Sequence, residues 1–444
     1  MEKKLVFESR FHKPYIYSKV RDDVENILQV QFKPSEKFTS SDAGTKSVDF
    51  CIVLDVSGSM QEPFTSGSTQ KKIDAAIQAA KKVYDFIGPS DTISIVFYSD
   101  KVHTILDKGT NIRRDEYERL IDTARNYSGA TNITLGLRRG KEILHLGKGT
   151  IKRIIFLTDG LPTEDTEEDG LREASDIAEK KITINALGVG NDFNYVYIEK
   201  LAQKTRGTTY HMKSLDDAVK IFEEVFQSAK NTIVKNVTAK FKFSERVRVK
   251  DFYRALPETT YMGKLELGKD RLLEVDLGDV ELGKVYEYLF EVAIPKPVTE
   301  YQGPFKAGEV TLEYELTATG ERISDKKDLI VELTGDIEKT YSEYASVYES
   351  YIKCQINKLD MLMNEKLKVG DGKTAKDLIN EIIKKADEIG DYNLKEMYEN
   401  MLEELIRTGK ISQKYLIVAS NQTTRINNQA VGSNQEVNVD EIFG

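Results

Sequence analysis

The sequence predicts a doubly wound α/β domain that is inserted in an antiparallel β-sandwich and followed by a C-terminal helical domain. Three observations support this prediction. Short apolar runs alternate with amphipathic helices over residues 46–230, an apolar period of two lies on both sides of that stretch, and helical spacing returns after residue 336. A chain of 444 residues is also too long for one ordinary core, so several domains are expected.

The N-terminal segment, residues 1–45, has the pattern of β-strands. Leu28, Val30 and Phe32 occupy alternate positions, as in a strand with one buried face. Two or three strands cannot hold a core by themselves. We therefore expect this segment to pair with the later β-domain, residues 231–335, so that the α/β domain is an insertion between them.

The α/β domain is predicted for residues 46–230. Residues 48–54 form an apolar run that is typical of a strand buried on both faces. The following helix places Ile73, Ala76 and Ile77 on one face. Further strands are predicted over residues 93–97, 154–157, 182–187 and 208–211, and further helices over 114–125, 133–145, 168–180, 195–204 and 215–229. Strands that alternate with helices indicate a mostly parallel sheet.

The C-terminal part is predicted to contain strands, then helices, then a disordered tail. Val237, Ala239 and Phe241 alternate with polar residues, which indicates the antiparallel sandwich of residues 231–335. Helical spacing over residues 336–410 predicts a helical domain. Residues 411–444 end in a stretch rich in Asn and Gln and are predicted to be disordered.

Composition limits the class of partner and the location. The net charge of -9 argues against nucleic acid as the main partner, because binding phosphates requires a basic surface. The chain has no run of about 18 apolar residues that could span a bilayer, and its first residues lack the apolar core of a signal peptide. The two cysteines, Cys51 and Cys354, both lie in apolar stretches and are expected to be unpaired core residues. We therefore expect a cytoplasmic protein.

Polar residues whose side-chain oxygens can bind a metal lie at three places, two at the ends of predicted strands and one at the start of a predicted helix. Asp55, Ser57 and Ser59 follow the first buried strand, Thr131 directly precedes a helix, and Asp159 follows the strand of residues 154–157. In an open α/β sheet, ligands bind beyond the carboxyl ends of the strands. Two carboxylates and three hydroxyls are hard ligands that suit Mg²⁺, with Mn²⁺ or Ca²⁺ as alternatives.

These motifs resemble the von Willebrand factor A family and its metal-ion-dependent adhesion site. That site is written D-x-S-x-S, then T, then D, and this chain has Asp55-Val56-Ser57-Gly58-Ser59, then Thr131 within Gly-Ala-Thr-Asn, then Asp159 within Leu-Thr-Asp-Gly. The segment Gly188-Val189-Gly190-Asn191-Asp192-Phe193 is similar to the fifth strand and turn of the family. The resemblance covers about 185 residues, and it implies a Rossmann-like fold for them.

The resemblance implies how the site works. The hydroxyls of Ser57, Ser59 and Thr131 bind the ion directly, Asp55 and Asp159 bind it directly or through water, and one position stays open for a Glu or Asp of a protein partner. In related adhesion domains the last helix moves when the site is occupied. Such a movement of the helix over residues 215–229 could relay binding to the β-sandwich and the C-terminal helices.

Other interpretations stay open at this point. The Asp-Ser-Ser set could cap a helix without any metal, although Thr131 and Asp159 then have no explanation. The predicted function is a non-enzymatic binding or scaffold protein, and the resemblance allows partners such as an AAA+ ATPase or a kinase or phosphatase module. One alternative is a chelatase-like or cofactor-insertion subunit that works with an AAA+ ATPase. A second alternative, a secreted or surface adhesin, is disfavoured by the missing export signal.

Overall fold

The computed structural model describes residues 4–36, 38, 47–64, 69–159, 162–190, 193–212, 215–297 and 301–427. The chain folds into two compact units. The α/β unit consists of Ser40–Ile233 and Leu316–Gly320, and the sandwich unit consists of Met1–Thr39, Val234–Glu315 and Glu321–Gly444. What was predicted for Gly160, for Asn191 and Asp192, and for the residues after 427 lies outside the described ranges.

The secondary structure comprises the following elements. The strands, in chain order, are β1 (Leu5–Phe11), β2 (Tyr15–Tyr17), β3 (Val24–Pro34), β4 (Val48–Asp55), β5 (Thr92–Tyr98), β6 (Val102–Gly109), β7 (Ile151–Thr158), β8 (Thr183–Val189), β9 (Thr209–Met212), β10 (Thr232–Phe243), β11 (Arg248–Leu256), β12 (Thr260–Lys264), β13 (Leu272–Glu281), β14 (Tyr286–Ile294), β15 (Gly303–Leu316) and β16 (Arg322–Thr334). The helices are α1 (Lys72–Lys82), α2 (Arg114–Asp122), α3 (Ile133–His145), α4 (Glu167–Glu179), α5 (Tyr195–Lys204), α6 (Leu215–Asn231), α7 (Ala345–Lys368), α8 (Gly372–Glu388), α9 (Tyr392–Thr408) and α10 (Gln413–Thr424).

A six-stranded sheet forms the centre of the α/β unit, in the order β6-β5-β4-β7-β8-β9. β4 pairs in parallel with β5 and β7, and every residue of β4 is buried. Ile52 and Leu54 pack in one cluster with residues of α1 and α6, whereas Gly136 and Gly140 bring α3 against Val53 on the opposite face. Helices thus cover both faces of the sheet, which confirms the predicted doubly wound fold.

The edge strand β6 was not predicted. It pairs antiparallel with β5, and most of its residues are only half-buried. A strand of this kind has neither the continuous apolar run of a central strand nor a strict alternation, so its sequence carries little signal.

Two five-stranded sheets form the sandwich unit. Their orders are β1-β3-β14-β11-β12 and β13-β10-β15-β16-β2. β3 lies between β1 and β14, with Val30 opposite Tyr288, so the N-terminal strands pair with strands that follow the α/β unit in sequence. Phe241 of one sheet contacts Phe290 of the other with ring centroids 4.7 Å apart. This confirms the predicted insertion of the α/β fold in an antiparallel sandwich, in which the short strand β2 pairs in parallel with β16.

Four helices complete the sandwich unit, and two predictions about this region need correction. Helical spacing was predicted from Ile337 onward, but α7 begins at Ala345, and Tyr341 is 73% exposed. The prediction of disorder over residues 411–444 is wrong for residues 413–424, which form α10. The polar composition of α10 was misleading because its polar residues Ser420 and Thr423 are buried against α7.

A buried carboxylate lies at the centre of this contact. Asp360 of α7 accepts hydrogen bonds from the hydroxyls of Tyr398 at 2.6 Å and Ser420 at 2.7 Å, and from the side-chain amide of Asn364 at 3.2 Å. Its three partners are neutral, and burial raises the pKa of Asp360 to about 6. The polar contact therefore ties α9 and α10 to α7 but leaves a negative charge without an opposing one among these partners.

Two further observations concern the chain as a whole. Both cysteines are buried and unpaired, as predicted. Within the part of the chain that the structure describes, no helix is both long enough and apolar enough to cross a membrane.

Candidate metal site

The carboxyl ends of β4, β5 and β7 meet at one edge of the α/β sheet. β4 ends at Asp55, which lies opposite Tyr98 at the end of β5, and β7 ends at Thr158, one residue before Asp159. After β4 the chain continues to β5 on one side of that strand, and it returns as β7 on the other side. The edge is therefore a switch point of the sheet, which is where open α/β sheets bind ligands.

A row of hydrogen bonds connects four of the five predicted ligands. The backbone N–H of Ser57 donates to Asp55 Oδ1 at 2.8 Å. The hydroxyl oxygens of Ser57 and Ser59 are 3.1 Å apart, and the Ser59 hydroxyl donates to Asp159 Oδ1 at 2.8 Å. The loop after β4 thus presents its two serine hydroxyls beside the carboxylate that follows β7.

Thr131, the fifth predicted ligand, lies on the neighbouring loop before α3. The N–H of Gly58 donates to the carbonyl of Gly129 at 2.9 Å, which fastens this loop to the loop after β4. The N–H of Thr131 donates to the hydroxyl of Thr163 at 2.8 Å, and the Asn132 side chain caps α3. Thr131 is buried at the same edge of the sheet as the serines. The structure therefore places all five predicted residues on three adjoining loops.

Asp55 is held by hydroxyl donors in a fully buried position. Its Oδ2 accepts hydrogen bonds from Thr158 at 2.9 Å and from Tyr98 at 3.2 Å. Burial raises the pKa of Asp55 to about 6, and the negative charge of Asp159 contributes to the rise. A divalent cation held by Asp55 and Asp159 would lower the pKa of Asp55, because a nearby positive charge favours the ionised carboxylate.

A lysine that was not among the predicted ligands contacts the second carboxylate. Lys72 Nζ lies 2.9 Å from Asp159 Oδ2 and 3.3 Å from Glu62 Oε2. Burial alone lowers the pKa of Lys72, but its hydrogen bonds and charge interactions with Asp159 and Glu62 raise it above the usual value. Asp159 therefore has a charged partner, whereas the hydrogen bonds to Asp55 come from neutral groups.

The donor set fits a hard divalent cation. Within the described ranges, no three His, Cys, Asp or Glu side chains are grouped as a metal site. An ion at this edge therefore needs the hydroxyls as well as the two carboxylates, and Ser57, Ser59 and Thr131 supply them. Mg²⁺ accepts such mixed oxygen ligands and usually keeps several water molecules. Soft or imidazole-preferring metals have no suitable partner in this set.

Sequence reasoning missed three residues of this site, namely Lys72, Tyr98 and Thr158. A signal existed for Lys72, because it lies four residues before Ala76 and hence on the apolar face of α1. A lysine on a buried helix face requires a charged partner. Tyr98 and Thr158 directly follow predicted strands, but nothing in the sequence shows that their hydroxyls donate to Asp55.

Relatives in sequence match different shares of the chain. The family model of the von Willebrand factor type A domain matches residues 49–224. An uncharacterized protein of Synechocystis sp. is 22% identical over 345 residues, which are 76% of this chain and 78% of that protein. The inter-alpha-trypsin inhibitor heavy chain H1 of Mesocricetus auratus is 22% identical over 236 residues, which are 51% of this chain but only 25% of that protein.

Similar solved structures extend over nearly the full chain. A von Willebrand factor type A protein from Catenulispora acidiphila has a TM-score of 0.76 at 16% identity, covering 95% of this chain and 96% of that one. The ArnB paralog VWA2 from Sulfolobus acidocaldarius has a TM-score of 0.56 at 16% identity, covering 96% of this chain and 99% of that one. These structures share the fold of both units. Together with the family model, which matches residues 49–224, they confirm the resemblance of the α/β unit to von Willebrand factor type A domains.

Proposed function

We propose that the α/β unit captures a carboxylate of a protein partner through a divalent cation held by Asp55, Ser57, Ser59, Thr131 and Asp159. The observation that carries the proposal is the hydrogen-bonded row from Ser57 through Ser59 to Asp159, beside the buried carboxylate of Asp55. Such a set of oxygens at a sheet edge suits Mg²⁺, with Mn²⁺ or Ca²⁺ as substitutes.

Each residue has a distinct part in this proposal. Asp55 and Asp159 supply the negative charge, and the three hydroxyls supply neutral ligands, so the ion keeps part of its positive charge. A Glu or Asp of the partner completes its coordination. The chain then acts by binding, as an adhesion or scaffold protein, rather than by catalysing a reaction.

The relay from the metal site to the sandwich unit stays a prediction. It is supported by the connection between the elements, because α6 ends at Asn231 and β10 begins at Thr232 with no residue between them. The partner class, including an AAA+ ATPase or a kinase or phosphatase module, and the cytoplasmic location also stay predictions.

The proposal is tested by capturing partners from a lysate of the source organism in Mg²⁺ and in EDTA. A partner retained by the wild type in Mg²⁺ should be lost in EDTA and with Asp55→Ala. Asp74→Asn, which removes a carboxylate of α1 that pairs with Arg125 at 2.8 Å, should retain it.

The captured protein then supplies the second half of the test. Replacing its Glu and Asp residues one at a time should identify one carboxylate whose loss abolishes capture. Binding that is indifferent to EDTA and to Asp55→Ala contradicts the proposal. An ATPase as the captured protein would favour the chelatase-like alternative.

A further inference from the structure

We infer that Lys72 is a fixed internal counter-cation of the candidate metal site, and that its charge makes a bound divalent ion favour an anionic ligand. The inference rests on the proposed function, because it concerns the same ion and the same partner carboxylate. It assigns to Lys72 a role in setting both the affinity for the ion and the preference for a negatively charged partner.

The ammonium group of Lys72 is bound to the buried carboxylate of the site. Nζ lies 2.9 Å from Asp159 Oδ2, while the other oxygen of Asp159 accepts the hydrogen bond of Ser59. The side chains of Lys72 and Asp159 are 5% and 0% exposed. The second partner, Glu62, is 64% exposed, so solvent screens its charge far more than that of Asp159.

Backbone contacts and packing hold Lys72 in this place. It is the first residue of α1, and its N–H donates to the carbonyl of Glu62 at 3.0 Å. A Cβ added to Gly190 would lie 3.2 Å from Cε of Lys72, so the lysine stem runs close along the backbone just after β8. Because its stem is buried and its backbone is anchored, the ammonium group of Lys72 is held beside Asp159.

When the site holds a divalent ion, its charges do not cancel. Asp55 and Asp159 contribute two negative charges, a divalent cation contributes two positive charges, and Lys72 adds one more positive charge, which the exposed and solvent-screened Glu62 offsets only in part. Close charges in a partly buried site interact strongly. Lys72 therefore weakens binding of the ion alone, and the partner carboxylate neutralises the charge that is left. Without Lys72, the two carboxylates and the bound ion are neutral together before the partner binds.

Replacing Lys72 should therefore have opposite effects on the ion and on the anion. Lys72→Met is expected to raise the affinity for Mn²⁺ by about tenfold or more, because it removes a positive charge next to the cation. Adding acetate, as a simple carboxylate, should strengthen Mn²⁺ binding by the wild type more than by Lys72→Met.

The experiment uses the full chain, freed of metal with EDTA and titrated with Mn²⁺, with free Mn²⁺ measured by electron paramagnetic resonance. Each titration is repeated in acetate. Lys72→Arg keeps the charge and should stay within a few-fold of the wild type. Lys71→Met is the matched control, because it removes the same charge one residue earlier, where the side chain is exposed and contacts Gln61 at 3.4 Å. It should bind Mn²⁺ as the wild type does.

The outcomes separate this inference from the proposed function. If the wild type binds Mn²⁺ and folded Lys72→Met binds it equally or more weakly, the inference is overturned and the proposed function stands. An equal effect of acetate on both proteins overturns the anion preference. If the wild type does not bind Mn²⁺, both the inference about Lys72 and the proposed function fail. Should circular dichroism show Lys72→Met to be unfolded, Lys72→Gln, which keeps a donor for Asp159 without the charge, carries the same expectation.

Discussion

Replacing Asp55 with asparagine is expected to abolish the stabilisation that Mg²⁺ gives to the folded α/β unit. An ion that binds only the folded state stabilises it by about 2.7 kcal/mol at about 100 times its Kd. Asparagine keeps the shape of Asp55 but removes one of the two negative charges that hold the cation. The wild type should therefore melt at a higher temperature in Mg²⁺ than in EDTA, and Asp55→Asn should melt at the same temperature in both, as measured by calorimetry.

The role of Asp55 is tested by the difference between the melting temperatures in Mg²⁺ and in EDTA, and not by either melting temperature alone. Asp55 is buried and accepts three hydrogen bonds, so Asp55→Asn also changes the stability of the metal-free chain. Asp74→Asn provides the control, because Asp74 lies on α1 outside the site and should keep the full Mg²⁺ effect. An equal Mg²⁺ effect in wild type and Asp55→Asn contradicts the assignment of Asp55.

The second large effect concerns the helices of the sandwich unit and is a loss of stability as pH rises. The pKa of Asp360 is about 6 in the folded chain because of its burial, against an ordinary value of 3.8. A carboxyl whose pKa is raised by folding binds its proton more tightly in the folded state. The folded state is therefore favoured at low pH, and this stability is lost as pH rises from about 4 to about 6. The raised pKa corresponds to about 3 kcal/mol.

Asp360→Asn should remove this pH dependence, because its amide does not titrate. Denaturant unfolding of the wild type and of Asp360→Asn at several pH values measures the difference in their free energies of unfolding. That difference should shift in favour of the variant by about 3 kcal/mol between pH 4 and pH 7. Asp377→Asn, an exposed change on α8, should keep the pH dependence of the wild type. A difference that stays constant with pH contradicts the role given to Asp360.

The sequence was sufficient to predict the layout of the α/β unit, apart from the edge strand β6, and the position of the candidate ligands. The apolar run of β4 and the periodic face of α1 are strong signals, because burial on both faces of a sheet leaves few alternatives. The same reasoning located Asp55 and Asp159 at strand ends. Parallel strands bring their carboxyl ends to one edge, so residues about 100 positions apart in the sequence meet there.

Other features depend on contacts that no local pattern reveals. α10 is polar enough to be taken for a disordered tail, and it is ordered because Asp360 and Asn357 of α7 bind its buried Ser420 and Thr423. Lys72 resembles any first-turn lysine until Asp159, 87 residues later, is placed beside it. In both cases a buried polar side chain is explained only by its partner from a distant part of the sequence.

The most direct measurement is a crystal structure of the full chain grown with Mn²⁺, with the ion located by its anomalous scattering. The account predicts one peak at the carboxyl ends of β4 and β7, with the hydroxyls of Ser57, Ser59 and Thr131 within bonding distance and a water or an acidic side chain of a neighbouring molecule in the open position. A peak elsewhere, or none in crystals whose solution contains Mn²⁺ well above the measured Kd, would contradict it.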